Sequence, residues 1–235
     1  MIPNANIATS AVEHIRNQII TGALPPGLRL NEEQLATELK ISRPPLREAF
    51  RLLESERMVL NIPRKGTFVT ELSVEDVEDL YQIREMMERG AIDILKLRNI
   101  RELPGIDMFL DKSEIFASLD YNDPEAIMRH ATLSSRFHIT LIEATGNSRL
   151  IHFYKTIASN VMRYKMLFLF LDTKYDSGKD HRRLVELIRN GDFDEAREFA
   201  VSHIQVSYSF LREEIRLRTR FKQRNREHGP LSVAG

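Results

Sequence analysis

Apolar residues recur every three or four positions along most of this chain, which is the spacing of an amphipathic helix. One such helix is predicted over residues 8–21, with apolar positions at Val12, Ile15, Ile19 and Ile20. Between residues 31 and 69 the pattern shortens to two brief helical stripes and two strand-like runs, at 59–62 and 67–70. The pattern therefore predicts an amino-terminal unit of three helices and one β-hairpin.

The two short helices of this unit follow recognisable capping residues. Asn31 precedes the first, and Gln34 stands three positions later, which is a capping-box arrangement. Ser42 precedes the second, and its hydroxyl is expected to cap free backbone N–H groups. Pro44 and Pro45 fall in the first turn of that helix, where a missing N–H does no harm. The sequence thus predicts two consecutive helices joined by a tight link.

The second short helix carries basic and apolar residues on different faces. Arg43, Arg47 and Arg51 are four positions apart and share one face. A second face is apolar and consists of Leu46, Ala49, Phe50 and Leu53. The apolar face can pack on the preceding helix while the basic face meets a polyanion, as a recognition helix in a DNA major groove requires. The arginine spacing alone fits an ordinary solvated helix equally well.

The hairpin turn adds further basic residues. Arg64 and Lys65 occupy its tip, and Gly66 can adopt the positive φ that a tight turn requires. Such a tip can lie against phosphates or in a minor groove. The order of helix, link, arginine helix and basic hairpin favours a winged helix-turn-helix over a surface helix beside an unrelated hairpin.

Helical periodicity continues from residue 73 to about residue 220, without strand-like alternation. Ser73 and Asp76 have the spacing of a helix start. Breaks in the pattern predict further helices over 106–119, 124–144, 148–170, 180–189 and 193–217. The fold class is therefore mainly α. The predicted domains are a winged helix-turn-helix at 1–72, a helical domain at 73–220 and a basic, flexible tail at 221–235.

Composition indicates the cellular compartment of the protein more than its activity. Of the 235 residues, 42% are hydrophobic, and 34 basic residues balance 34 acidic ones, so net charge gives no indication of nucleic-acid binding. Cysteine is absent, which excludes disulfides and thiolate metal sites and suits a reducing compartment. No secretion signal is recognised, and the longest apolar run, 166–171, is too short to cross a bilayer. We expect a cytoplasmic protein without membrane contact.

Three histidines of the helical domain are candidate metal ligands. His181 and His203 flank a turn near Gly191, and an antiparallel helical pair would place them within about 3 Å of the same height. His138 belongs to a separate helix that the sequence does not position. Three imidazoles suit Zn²⁺, Ni²⁺ or another divalent transition metal, although scattered histidines are more often ordinary core or surface residues. His130, roughly 12 Å from His138 along a helix, is too distant to share the ion.

Two arginines of the same domain stand among apolar positions. A buried guanidinium needs an anion, so Arg84 is a candidate for holding an acidic effector, and Arg163 is a weaker candidate. An internal ion pair between Arg84 and Glu88, four positions later, explains Arg84 equally well.

Residues 42–49, Ser-Arg-Pro-Pro-Leu-Arg-Glu-Ala, resemble the S-R-x-P-x-R-E-A signature of the GntR family of transcription regulators. Residues 22–30 are similar to the family's G-x-L-x-P-G-x-x-L stretch, and residues 64–69 resemble its wing. The chain departs from the family's E-G-L-V pattern because Arg57 replaces the glycine. A position just after a helix favours glycine, so Arg57 either shifts the helix end or contacts DNA.

The helical domain resembles the FCD domain of the FadR subfamily of these regulators. Residues 80–88 are similar to its L-x-x-I-R-x-x-x-E opening helix. Residues 137–147 contain its F-H…G-N pair, and residues 180–203 resemble its E-H-R…G-D…H segment. The resemblance implies an all-helical, FCD-like bundle for effector binding and dimerisation, with Zn or Ni on His138, His181 and His203. Ser134 replaces the usual Asp ligand, so the site is weaker, uses water or effector instead, or is vacant.

These resemblances imply a transcription regulator without enzymatic activity, in a family composed mostly of repressors. It would bind an inverted-repeat operator in double-stranded DNA as a homodimer, with DNA contacts from Arg43, Arg47, Arg51, Arg64, Lys65 and Gly66. A small carboxylic acid would act as effector, bound by Arg84, Ser134 and Arg163. Three alternatives remain at this point: a metal-free, acyl-CoA-responsive regulator, a metal-dependent hydrolase with a DNA-binding arm, and an architectural DNA binder without effector.

Overall fold

The computed structural model describes residues 4–116, 124–169 and 177–228. The amino-terminal unit, residues 4–69, contains three helices and a small sheet in the order α1 (Asn4–Ile20), β1 (Arg29–Leu30), α2 (Glu32–Glu38), α3 (Arg43–Ser55), β2 (Val59–Ile62) and β3 (Gly66–Val69). The buried side chains of α1, α3 and the sheet form one core, which includes Ile15, Leu46, Leu53, Met58 and Val69. The predicted pair of short helices and the hairpin are confirmed.

The sheet contains one strand more than the sequence predicts. β1 pairs antiparallel with β3, which also pairs with β2, so the strand order is β1-β3-β2. A strand of two residues is too short to show alternation, and only its pairing with the hairpin identifies it. Through this pairing Arg29 lies opposite Phe68, close to the hairpin turn.

The two predicted helix caps have different outcomes. Asn31 caps α2 as expected, because its side chain accepts hydrogen bonds from the backbone N–H groups of Glu33 and Gln34. The expectation for Ser42 is wrong, since its side chain forms no capping hydrogen bond. A capping side chain normally accepts from the second or third helical N–H. In α3 those positions are Pro44 and Pro45, which have no N–H to donate.

Arg57 occupies the position where the family pattern has glycine, and the helix end is not shifted. Its φ of 57° is in the left-handed region that normally favours glycine. The N–H of Arg57 donates to the carbonyl of Glu54, and that of Met58 donates to Leu53, which closes the end of α3. Arg57 therefore adopts the strained conformation, and its guanidinium lies 4.0 Å from a carboxylate oxygen of Asp76.

The rest of the described chain, residues 74–228, is a helical bundle. Its elements are α4 (Val74–Arg98), α5 (Ile106–Phe116), α6 (Pro124–Glu143), α7 (Ser148–Leu169), α8 (Ser177–Asn190) and α9 (Phe193–His228). The predicted ends of two helices, at residues 119 and 170, lie outside the described residues. α9 continues past the predicted end at residue 217, so residues 221–228 of the predicted tail are helical, and residues 229–235 are not described. Within the described ranges, none of the helices has the length and apolar character needed to span a membrane.

The two larger apolar clusters of the bundle lie on either side of a set of buried polar side chains. The first cluster includes Ile92, Leu95, Phe137, Leu141, Ile188 and Ala200. The second includes Val77, Tyr81, Ala131, Tyr164, Ile204 and Leu211. α4, α6 and α9 contribute to both clusters. Arg84 and Glu88 of α4, Ser134 of α6 and His203 of α9 lie between these contributions along their helices, so the bundle has a polar layer at mid-height.

Candidate functional site

The polar layer joins side chains from five helices of the bundle. We use this name for Arg84 and Glu88 of α4, Ser134 and His138 of α6, Tyr154 and Lys165 of α7, His181 of α8 and His203 of α9. All eight are buried. Because each helix contributes only one or two of these groups, the arrangement depends on the tertiary fold.

Glu88 is the acceptor at the centre of the layer. One of its carboxylate oxygens, Oε1, accepts from Arg84 Nε at 2.8 Å and from the Tyr154 hydroxyl at 2.8 Å. The other, Oε2, lies 2.9 Å from Nδ1 of His138, and Arg84 Nη2 lies 2.8 Å from Nε2 of the same ring. A guanidinium can only donate and a carboxylate can only accept, so this network assigns the neutral tautomer of His138 with its proton on Nδ1.

These contacts fix the charges of the central groups. Burial by itself would raise the pKa of Glu88, but His138 and Arg84 hold it well below the usual value. Burial likewise opposes the charge on Arg84, yet Glu88 keeps the arginine pKa above normal. Burial lowers the pKa of His138 well below its usual value. The centre is therefore an ionised Arg84–Glu88 pair beside a neutral imidazole. The internal pair that the sequence offered as one explanation of Arg84 is formed.

The three predicted histidines come together in this layer. One potential ligand atom from each of His138, His181 and His203 lies within 4.8 Å of the others. Nδ1 of His203 lies 3.1 Å from a carboxylate oxygen of Asp180, which favours Nε2 as its ligand nitrogen. The ring of His181 stacks on Phe137, and its buried Nε2 has no hydrogen-bond partner. Burial lowers the pKa of His181 and of His203 as it does that of His138, which keeps the imidazoles neutral.

This donor set fits a divalent transition metal in part. Neutral imidazoles from three helices match the ligands that Zn²⁺ and Ni²⁺ take in proteins. Nε2 of His138, however, already accepts from the Arg84 guanidinium, which a metal would have to replace. The Ser134 hydroxyl stands where the family supplies a carboxylate, and it is bonded to Lys165 Nζ at 2.9 Å. His130 is not a member of the histidine group, as the helical spacing predicted.

Lys165 is a member of the layer that sequence reasoning missed. It lies in the run Val161-Met-Arg-Tyr-Lys-Met166, where every residue except Met162 is buried. The position of a lysine inside this run was the sequence feature that could have identified Lys165 as a buried polar residue. Burial, with a further contribution from Arg84, lowers the pKa of its ammonium group well below the usual value.

Arg163 of α7, the weaker of the two arginines that the sequence offered as effector ligands, lies outside the polar layer. Its guanidinium donates to the carbonyl and, at 2.7 Å, to the hydroxyl of Thr70, just after the last strand. One turn earlier, the amide of Asn160 donates to the carbonyl of Glu56 at the end of α3, at 2.6 Å. Arg163 therefore holds the bundle against the amino-terminal unit.

The basic face of α3 is exposed and carries weak ion pairs. Arg47 lies 3.0 Å from Glu32 and Arg43 lies 3.6 Å from Glu33, so both pair with the first turn of α2. Arg51 lies 3.3 Å from Glu48 of its own helix. Exposed pairs of this kind contribute only about 0–1 kcal/mol, so DNA phosphates can displace the carboxylates at little cost.

The hairpin tip lies beside this face. Arg64 and Lys65 are exposed, and Gly66 has a φ of 106° as predicted. The Arg29 side chain passes 3.3 Å from the point where a Cβ on Gly66 would lie. A cleft of about 500 Å³ separates the tip from Arg43 and is also lined by Arg29. Arg29 is therefore a further basic group on this face, which the sequence did not reveal because its strand was not recognised.

Comparison with known proteins agrees with this two-part architecture. Residues 7–69 match the bacterial regulatory proteins of the gntR family, and residues 79–206 match the FCD domain. The chain is 27% identical to an HTH-type transcriptional regulator of Bacillus subtilis, over 84% of this chain and 88% of the relative. It is 28% identical to the Nta operon transcriptional regulator of Aminobacter aminovorans, over 81% of this chain and 88% of the relative.

A third relative, the gluconate operon transcriptional repressor of Bacillus licheniformis, is 26% identical over 77% of this chain and 74% of its own. A solved GntR regulator of Rhodococcus sp. RHA1 shares the fold, with a TM-score of 0.71 and 20% identity, covering 87% of this chain and 96% of the other. The matched families and relatives are transcription regulators and not enzymes, which excludes the hydrolase alternative. The FCD match alone covers more than half of the chain, and the chain therefore belongs to the GntR family of transcription regulators, among the members that carry an FCD domain.

Proposed function

We propose that this regulator is a repressor that binds operator DNA through α3 and the hairpin, and that a small carboxylate bound in the polar layer controls its affinity for DNA. Some of the relatives are repressors, which supports repression as the direction of control. Two of them are named for gluconate operons, which supports a small carboxylate as the effector. The proposed DNA contacts are Arg43, Arg47, Arg51, Arg64, Lys65 and Gly66.

One observation supports the coupling between the two sites: α7 takes part in both. Its Tyr154 and Lys165 belong to the polar layer. Its Asn160 and Arg163 are bonded to the end of α3 and to the residue after β3. A ligand that displaces Tyr154 or Lys165 would shift the helix on which the DNA-binding unit rests. Such a shift changes operator affinity only if the ligand binds the two positions of α7 with different affinity.

A divalent metal is a further part of the proposal. His138, His181 and His203 would hold Zn²⁺ or Ni²⁺ in the polar layer, as neutral imidazoles do in other proteins. Arg84 and Ser134 line the same layer and remain proposed effector ligands. We assign Arg163 to positioning of the DNA-binding unit, because all of its described hydrogen bonds go to Thr70.

The proposal is tested by measuring binding to the DNA upstream of the gene at fixed salt, with and without a panel of small carboxylic acids. We expect one or more acids to change the dissociation constant by roughly 5- to 150-fold, the usual range of allosteric coupling. Fixed salt is essential because affinity for DNA depends steeply on ionic strength. Tight, sequence-specific binding that no acid alters would indicate a DNA binder without an effector and would contradict the proposal.

The homodimer that an inverted repeat requires would form along α4. One side of this helix carries a partly exposed apolar stripe with helical spacing, formed by Ile83, Met86, Gly90, Ile94 and Leu97. Met86 and Leu97 are 68% and 85% exposed, although large apolar side chains gain free energy from burial. A second copy of the same stripe is a self-complementary partner, as two-fold symmetry demands.

Met86→Glu is expected to convert the dimer to a monomer, because it places a charge at the centre of a contact that would exclude water. Sedimentation velocity at micromolar concentration measures the change. Met108→Glu is the matched control, since it makes the same substitution at an exposed position of α5, away from α4. A Met86→Glu protein that sediments as the wild type does would show that the dimer uses another surface.

A further inference from the structure

Lys165 is a buried amino group without an anionic partner among the described residues. Only 7% of its surface is exposed, and its ammonium group has one hydrogen-bond partner among the described residues, the hydroxyl of Ser134. No described carboxylate forms an ion pair with it. Glu88, the acid whose charge acts on Lys165, already accepts from Arg84, Tyr154 and His138. A buried ammonium is expected to have a counterion.

Arg84 has an unused donor in the same layer. Its Nε and Nη2 donate to Glu88 and His138, but within the described part of the chain the buried Nη1 has no hydrogen-bond partner. Glu88 can neutralise only one of the two cations, and the three histidines are neutral. The layer therefore carries one more positive charge than negative when Lys165 is protonated, and two of its donor groups lack an anionic acceptor.

Ser134 explains why the chain supplies no counterion for Lys165. The pattern that this region resembles places an aspartate here, and a carboxylate at this position would meet the ammonium group of Lys165. A hydroxyl supplies no negative charge to compensate the ammonium group. The position therefore provides no internal anion for Lys165.

We propose that Lys165, together with Nη1 of Arg84, binds the carboxylate of a small organic acid directly, without a metal ion. This inference rests on the proposed function, because it identifies how the effector is held. A lysine and an arginine offer charge-assisted hydrogen bonds to a carboxylate, which are stronger than bonds between neutral groups. Lys165 thus selects a negatively charged effector and allows that effector to bind without a metal ion.

The experiment measures anion binding to metal-free protein. The full chain is dialysed against EDTA and then against chelator-free buffer, and acetate, lactate, succinate and inorganic phosphate are titrated by calorimetry and by thermal shift. We expect at least one of the three acids to bind and to raise Tm without added metal. A parallel titration after loading with Zn²⁺ separates direct binding from binding through an ion.

Lys165→Met is expected to weaken acid binding by about tenfold or more, because it removes a charged hydrogen-bond donor. Without ligand this variant should melt at the same or a higher temperature than the wild type, since it removes an uncompensated buried charge. A purely structural lysine would give the opposite pair of results, a lower Tm with unchanged affinity. Lys155→Met is the matched control on the exposed side of the same helix, where Lys155 pairs with Glu143.

Ser134→Asp provides a second variant that does not depend on the folding of the first. Its carboxylate should pair with Lys165, which would raise Tm and weaken acid binding to the metal-free protein by about tenfold or more. Unchanged acid affinity in this variant would overturn the inference.

The remaining outcomes separate the inference from the proposed function. Binding of acids only after loading with Zn²⁺ would overturn the inference and leave an effector-responsive regulator standing. A response to phosphate but to none of the three acids would overturn the assignment to a carboxylate. No response in either metal state, together with an operator titration that no acid alters, would contradict both the inference and the proposed function.

Discussion

Replacing Arg43 and Arg47 together by alanine is expected to weaken operator binding by roughly 100-fold or more, because each arginine that contacts a base edge contributes about 1–3 kcal/mol. The two guanidinium groups are 58% and 62% exposed and face away from the core beneath α3. Their carboxylate partners, Glu33 and Glu32, hold them only weakly in the free protein. The substitution should therefore affect DNA binding and leave folding intact.

Fluorescence anisotropy with the operator fragment and a scrambled fragment of equal length measures this effect at constant salt. We expect the variant to lose most of the difference between the two fragments, whereas Arg136→Ala, an exposed arginine of α6, should behave as the wild type does. Circular dichroism checks that the variant is folded. A folded double variant with unchanged operator affinity would exclude α3 as the recognition helix.

Glu88→Gln is expected to lower the free energy of unfolding by about 3–5 kcal/mol, the usual cost of breaking a buried ion pair by removing one partner. Glutamine has the shape of glutamate, so the change tests the charge that neutralises Arg84. The effect should be fully present at pH 7. Because the pKa of Glu88 is lowered in the folded state, its contribution to stability is present above the unfolded-state value of about 4.3 and is lost as pH falls through the folded-state pKa.

Urea denaturation at pH 7 measures this loss, and Glu78→Gln on the exposed side of α4 is the control. We expect the control to differ from the wild type by less than about 0.5 kcal/mol, as is usual for surface substitutions. A loss below about 1 kcal/mol in Glu88→Gln, within the range of a neutral hydrogen bond, would mean that the layer does not depend on the ionised pair.

Features carried by local spacing could be predicted from the sequence. The four-residue spacing of Arg43, Arg47 and Arg51 gave the basic face of α3, and the i, i+4 spacing of Arg84 and Glu88 gave their ion pair. The helix and strand pattern likewise gave the winged unit and the helical domain. These features require only backbone periodicity, which a sequence displays directly.

Features that depend on packing between distant segments could not be predicted. Periodicity indicated that Arg163 would be buried, but its partner, Thr70, lies in the other unit of the chain. Lys165 was overlooked because its partner, Ser134, is on another helix. The family resemblance linked His138 to the other two histidines, whereas spacing alone placed only His181 and His203. The capping prediction for Ser42 overlooked that both normal donors are prolines.

The central claim of this account is that the polar layer and the DNA-binding face are energetically coupled through α7. Calorimetric titration of the most effective carboxylic acid into the free protein, and into the protein saturated with operator DNA, tests it most directly. Linkage requires the acid's dissociation constant to change by the same factor as the acid changes operator affinity. We expect equal factors above about fivefold in the two directions. Equal acid affinities for the free and the DNA-bound protein would contradict the account.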